Sequence, residues 1–240
     1  MRPSVIIQAR MGSSRLPGKV MADLAGRPAL AHVVARARTI PGVERVIVAT
    51  TTAARDDVIA GLCEGLGVAV FRGSDPDVLD RYYRAARHHG LRAVVRVTAD
   101  CPLLDPTVSG LVVARFRSGD VDYASNVHPP TYPDGLDTEV FTVEALERAW
   151  REARLPAERE HVTSYFYTHP ELFRCANVAH AQDLSHHRWT VDEPRDLELV
   201  RALCRRLGQG EAPLFGMAEI LSLLEREPDL LTLPAAGRPR

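Results

Sequence analysis

Lysine is almost missing from this chain: among its 30 basic residues, Lys19 alone is lysine and the rest are arginine. A bias that strong removes lysine wherever a guanidinium serves as well, so Lys19 reads either as a place that needs a compact ammonium charge or as the chance position of the one lysine left. Cysteine is scarce too. Cys63, Cys101, Cys175 and Cys204 stand far apart with no CxxC pair, which argues against a zinc ribbon or a disulfide framework and fits reduced thiols in a cytoplasm. No window approaches the roughly 18 apolar residues of a membrane span, and the N-terminus lacks the pattern of a secretory leader, so neither membrane insertion nor secretion is expected. Nor is there an excess of one charge. The formal net charge is −1, which removes the global positive field that draws proteins onto nucleic acid or anionic lipid.

What is present is ordinary globular material, 45% hydrophobic and 25% charged over 240 residues, enough for one well-filled core. Short apolar, β-branched runs at Val5–Ala9, Val43–Thr50, Val68–Phe71 and Ala93–Thr98 read as buried strands. Helical spacing at Pro28–Ile40, Arg55–Leu66, Asp77–His89 and Pro106–Arg117 lies between or after them. Strand and helix in alternation predict an α/β fold with a mostly parallel, helix-covered sheet, whose ligands sit at the carboxyl ends of the strands. After Asp120 the rhythm changes. Val121–Asn126 and Thr138–Thr142 pair around the turn-rich HPPTYPDG, and Phe173–Ala179 adds a further strand. Helices follow at Val143–Ala153 and Ala157–Tyr167, then a strand at Arg188–Val191 and a final helix from Pro194. One domain over residues 1–226 is expected, with a subregion at about 121–180 and a frayed proline-rich tail at 227–240.

Two loops at strand ends carry the chemistry. QARMGSSRLPGK, residues 8–19, joins Gly12, Ser13, Ser14 and Gly18 to Arg10, Arg15 and Lys19. Small residues let backbone N–H groups approach a phosphate chain and the cations compensate its charge, so a triphosphate is the natural guest; the plain alternative is a surface loop of solvated cations. It is no Walker A loop, because five residues separate Gly12 from Gly18 and Val20 follows Lys19. VTADCPLLD places Asp100 at the end of the fourth strand, where a carboxylate suits Mg²⁺ against phosphate oxygens. Asp105 before Pro106 already accounts for the helix cap there. In WTVDEPRDLELV, Asp192 is either a second metal ligand or, like Glu193, a cap for the following helix.

At these loops the chain resembles the cytidylyltransferase family, including the synthetases that attach CMP to 3-deoxy-manno-octulosonate and neuraminate, and above all its spore coat polysaccharide branch. ARMGSSRLPGK carries the likeness most specifically, and GSDPDVLDRYYRAA, VTADCPLLD, PDGLDTEVF, EREHVT and WTVDEPRDLELV extend it over roughly residues 4 to 205. The resemblance implies a Rossmann-like nucleotidyltransferase with a small sugar-facing and dimerisation subregion. It also implies a CTP site at Ala9, Arg10, Gly12, Ser13, Ser14, Arg15, Lys19 and Asp100, Mg²⁺ on Asp100 and Asp192, catalysis by Arg15, Lys19 and Asp100, and a homodimer. Around the metal aspartate the octulosonate enzymes carry glutamine, glycine and glutamate where this chain has Thr98, Ala99 and Cys101, so the sugar stays open, a 2-keto sugar acid among the candidates.

Asp134, Asp137 and Glu139 in PDGLDTEVF either meet hydroxyls or an amine of that sugar or solvate an edge strand. Glu160 and His161 read as a helix-surface ion pair with Arg159 and a packed histidine, or as a hold on substrate. Two rivals remain. Asp75-Pro76-Asp77 matches the short DxD pattern of glycosyltransferases, although Ser74 or Asp75 reads equally as a helix cap. A non-catalytic nucleotide- or sugar-binding component of polysaccharide assembly is the other.

Overall fold

Val5, Ile6 and Ile7 are wholly buried in strand β1 (Ser4–Gln8). Side chains alternate across a strand, so Val5 and Ile7 enter one apolar layer and Ile6 the other. A strand covered on both faces reads as an unbroken apolar run, which is why the sequence shows no alternation here. The computed structural model describes residues 1–208 and 215–233. After β1 a hairpin of β2 (Asp23–Leu24) and β3 (Arg27–Pro28) leads into α1 (Ala29–Ala37). Then come β4 (Val46–Thr51), α2 (Asp57–Gly65), β5 (Ala69–Gly73), α3 (Val78–His88), β6 (Ala93–Thr98) and α4 (Pro106–Arg117). The second half adds β7 (Tyr123–Ser125), β8 (Glu139–Thr142), α5 (Val143–Glu152), α6 (Pro156–His161), α7 (Ser164–Thr168), β9 (Cys175–Asn177), α8 (Pro194–Leu207) and α9 (Met217–Arg226).

Seven strands form one sheet in the order β5-β4-β1-β6-β8-β7-β9. The first four run parallel, β8 runs antiparallel to both β6 and β7, and β9 is parallel to β7. The stretch expected as a subregion at 121–180 thus gives its strands to the main sheet. From β1 the chain builds outward through β4 to β5 and then returns to β6 on the other side. That reversal opens a crevice at the carboxyl ends of β1 and β6, the place where doubly wound sheets bind ligands. Gln8 pairs with Thr98, so the loops after the two strands leave side by side.

Several elements differ from expectation. The helix expected over Ala157–Tyr167 is two, split at Val162, whose backbone (φ 59°, ψ −57°) makes a strained γ-turn with Thr163 N–H on the His161 carbonyl at 2.5 Å. Val162 is fully buried, and that burial, of order 1.5–3 kcal/mol, offsets strain of similar size. Among the described residues Arg188–Val191 joins no ladder; it is an extended segment that makes a single bridge there, Asp134 to Arg188. The final helix ends at Leu207, and α9 follows as a separate element. The cap of α3 is Asp77, which accepts the Asp80 N–H, rather than Ser74 or Asp75. Asp105 caps α4 as expected, and its other oxygen accepts Met217 N–H at 2.7 Å, so one carboxylate holds the starts of two helices. Of the expected tail, Pro228–Thr232 forms a 3-10 helix with Leu230 buried, while 234–240 lies outside the described residues.

Candidate active site

Lys19 enters the crevice behind Gly18, whose φ of +75° lies in the left-handed region that glycine adopts freely. The Met11 carbonyl accepts the N–H groups of Ser13 and Gly18, both at 3.0 Å, and buried Asp56 takes the Met11 N–H at 2.7 Å. The loop is therefore tied down at its base. From there the Lys19 ammonium donates to Asp100 Oδ2 at 2.6 Å and Asp192 Oδ1 at 2.7 Å. Burial alone would lower the pKa of Lys19, but Asp100 and Asp192 outweigh it and hold it above its ordinary value. Burial would likewise raise Asp100, and Lys19 with a Thr98 hydrogen bond holds it below the usual carboxylate range. Lys19 and Asp100 are thus both charged at neutral pH.

Asp192 reaches this point because the extended segment before it hydrogen-bonds Asp100 itself. Val191 N–H donates to the Asp100 carbonyl at 2.8 Å, and Thr190 Oγ1 donates to it at 3.2 Å. The alternative of a capping role for Asp192 fails on geometry. Asp196 Oδ2 accepts the N–H groups of Asp192 and Glu193 at 3.0 and 2.9 Å, closing the α8 terminus from within. The Asp192 carboxylate is left to Lys19, Arg15 at 3.0 Å and Arg188 at 3.2 Å.

A cleft of about 340 Å³ gathers Arg10, Gly12, Ser13, Ser14, Arg15, Lys19, Asp100 and Asp192 on one wall system. Ala9 is the exception among the nominated residues; it is buried in the core and its N–H donates to the Ala49 carbonyl. Arg10 leans on Asp75 at 3.4 Å and on Glu160 at 3.9 Å. Arg159 pairs with Asp77 rather than with Glu160, and His161 is exposed on the cleft wall instead of packed. Asp75 and Asp77 serve different partners, Arg10 and Arg55 for the first, the α3 cap and Arg159 for the second, so they do not converge as a DxD metal site. Among the described residues no group of three or more His, Cys, Asp or Glu side chains forms a metal cage. Two carboxylates converging on one point, with oxygen donors left to a phosphate ligand and water, are nevertheless the donor set that magnesium ordinarily takes.

A second cavity of about 290 Å³ adjoins the first and shares Arg96, Thr98 and His161 with it. Asp137 and Glu139 line it. Asp134 lines neither cavity; its backbone pairs with His187 and Trp189 instead. The loop is seated by Gly135 at φ +107°, where a Cβ would stand 2.7 Å from the Trp189 carbonyl carbon, so only glycine permits the approach. Strand register sets Arg96 on β6 opposite Glu139 on β8, and the two form a part-buried ion pair that Tyr123 Oη completes by donating to Glu139 at 2.6 Å. Arg96 was not singled out in the sequence, although an arginine inside the apolar run AVVRVT was a signal for it.

Comparison with known proteins follows the same outline. Residues 4–211 match the cytidylyltransferase family. The chain is 33% identical over 235 residues to the spore coat polysaccharide biosynthesis protein SpsF of Bacillus subtilis, covering 95% of each. It is 32% identical to a 3-deoxy-manno-octulosonate cytidylyltransferase of Anaeromyxobacter sp. strain K, covering 83% of this chain and 96% of that one. A solved cytidylyltransferase structure from Leptospira borgpetersenii superposes with a TM-score of 0.90 at 30% identity, covering 100% of this chain and 99% of that one.

Proposed function

The chain belongs to the cytidylyltransferase family, and from that premise we propose that it activates a sugar by transferring CMP from CTP, releasing pyrophosphate, for a surface or coat polysaccharide. The observation that carries this reading is the meeting of Lys19, Asp100 and Asp192 at the crevice between β1 and β6, beneath a loop bearing Arg10 and Arg15. Arg10, Arg15 and Lys19 bind the triphosphate, with Gly12, Ser13 and Ser14 bringing the loop backbone close to it. Asp100 and Asp192 would hold Mg²⁺, which when bound supplies charge stabilisation at the transferring phosphoryl group. Lys19, which the same two carboxylates hold in the crevice, is the cation that would neutralise charge developing on the leaving pyrophosphate. The second cavity takes the acceptor sugar, with Asp137 and Glu139 on its wall.

The names of the relatives point the same way: one acts in spore coat polysaccharide biosynthesis and the other is a cytidylyltransferase for 3-deoxy-manno-octulosonate, a 2-keto sugar acid. Work in the cytoplasm and as a homodimer belongs to the proposal. The test is pyrophosphate release with CTP, UTP, GTP or ATP and Mg²⁺ against 2-keto sugar acids and phosphorylated or amino sugars. Release confined to CTP and one sugar class, and abolished in Asp100→Ala, is the expected result. Mg²⁺-dependent CTP binding without product from any of them would favour a non-catalytic binding component.

A further inference from the structure

The carboxylates around the two cavities are not alike. Asp100 and Asp192 share Lys19, and Glu139 is paired with Arg96 and Tyr123. Asp137 lines the acceptor cavity with no hydrogen bond or ion pair to any described side chain, a half-buried carboxylate without a counter-charge of its own. An unpaired carboxylate facing a cavity is costly to keep, and such exceptions concentrate where a ligand or a proton is to be met. The cavity it lines opens onto the nucleotide cleft across Arg96, Thr98 and His161, so the group stands on the acceptor's side of that junction.

We infer that Asp137 is the general base that takes the proton from the acceptor hydroxyl. The inference rests on the nucleotidyl-transfer reading above. In the step, the hydroxyl O–H bond breaks and its proton passes to the Asp137 carboxylate. The hydroxyl oxygen forms a bond to the α-phosphorus of CTP. The bond from that phosphorus to the bridging oxygen breaks, and its electron pair leaves with pyrophosphate. The proton on Asp137 returns to solvent when products depart. The charges facing Asp137 suit the role. Asp134 lies three residues before it in its own loop and Glu139 at the start of β8, Arg96 faces it from β6, Asp100 and Cys101 from the loop after β6, and His128, His161 and Tyr167 from the remaining walls. Burial, reinforced by Asp134 and Glu139, pushes the Asp137 carboxyl up to about 7, where a base is half available at neutral pH.

Asp137→Asn keeps shape and removes the base. On whichever sugar of the panel the wild type turns over, kcat is expected to fall by about 10²- to 10⁴-fold. CTP affinity measured by calorimetry is expected to be unchanged, and the acid limb of the kcat–pH profile near 7 to disappear. A melting curve at pH 8 controls for folding. If Asp137→Asn changes only KM and leaves the limb in place, Asp137 is a binding contact and the inference is wrong while the transferase reading stands. If His161→Gln removes the limb and Asp137→Asn does not, the base is the histidine. A wild type that forms no product with any sugar overturns the transferase reading itself, and this inference with it.

Discussion

Lys19 stands between two carboxylates at 2.6 and 2.7 Å, a geometry that a planar guanidinium does not reproduce on a longer stem. Lys19→Arg is therefore expected to keep the charge and the fold yet lose about 10²- to 10³-fold in kcat, read by steady-state pyrophosphate release; retention of turnover would mean that the lone lysine is an accident of composition. Asp137 yields a prediction about stability. Its carboxyl is raised to about 7 in the folded chain, so the folded state binds a proton that the unfolded state has already lost. The sign follows from linkage: stability falls as pH rises from about 4 through about 7 and levels off beyond. Asp137→Asn removes that slope, and at pH 8 it should be more stable than wild type by roughly 2–4 kcal/mol in urea unfolding. Equal pH dependence in the two proteins would contradict the placement of Asp137. Residues of this scale were legible where type and position agreed, as for Lys19 and Asp100. Arg96 was not, because its partner Glu139 lies 43 residues away and only strand register joins them.

At the scale of elements, the site depends on an irregular segment more than on any helix or strand. Residues 188–192 run extended beside both Asp134 and Asp100, and this is what brings Asp192 to Lys19. Gly135 makes the first of those approaches possible. Gly135→Ala is expected to lower stability by about 2–4 kcal/mol through the forced φ and the clash with Trp189, and to depress kcat by more than the folded fraction explains, because Asp192 moves with its segment. A variant with wild-type melting temperature and turnover would refute that coupling. The segment was expected as a strand because WTV has the right composition. It makes one bridge only, since its remaining hydrogen bonds go to the Asp100 carbonyl and the 134 loop rather than to a ladder. The break at Val162 was equally invisible, because a buried β-branched residue at positive φ is the opposite of what turn composition signals.

At the scale of the molecule, the first half of the chain was readable because each strand is covered on both faces and so writes itself as an apolar run between amphipathic helices. The strands β7, β8 and β9 were found as a pairing group, yet their place in the same sheet was not, since strands of three or four residues carry no long-range signal of which edge they join. The reversal between β1 and β6 is what turns separate loops into a site. The cations of residues 10–19, the carboxylates of 100 and 192, and the second cavity all meet at that edge. On the proposed reading, this edge transfers a nucleotidyl group. Phosphorus NMR of a reaction with CTP, Mg²⁺ and a 2-keto sugar acid tests it most directly. The CTP resonances are expected to give way to equimolar pyrophosphate and one new phosphodiester signal; CDP with orthophosphate, or CTP left unconsumed across the sugar panel, would rule nucleotidyl transfer out.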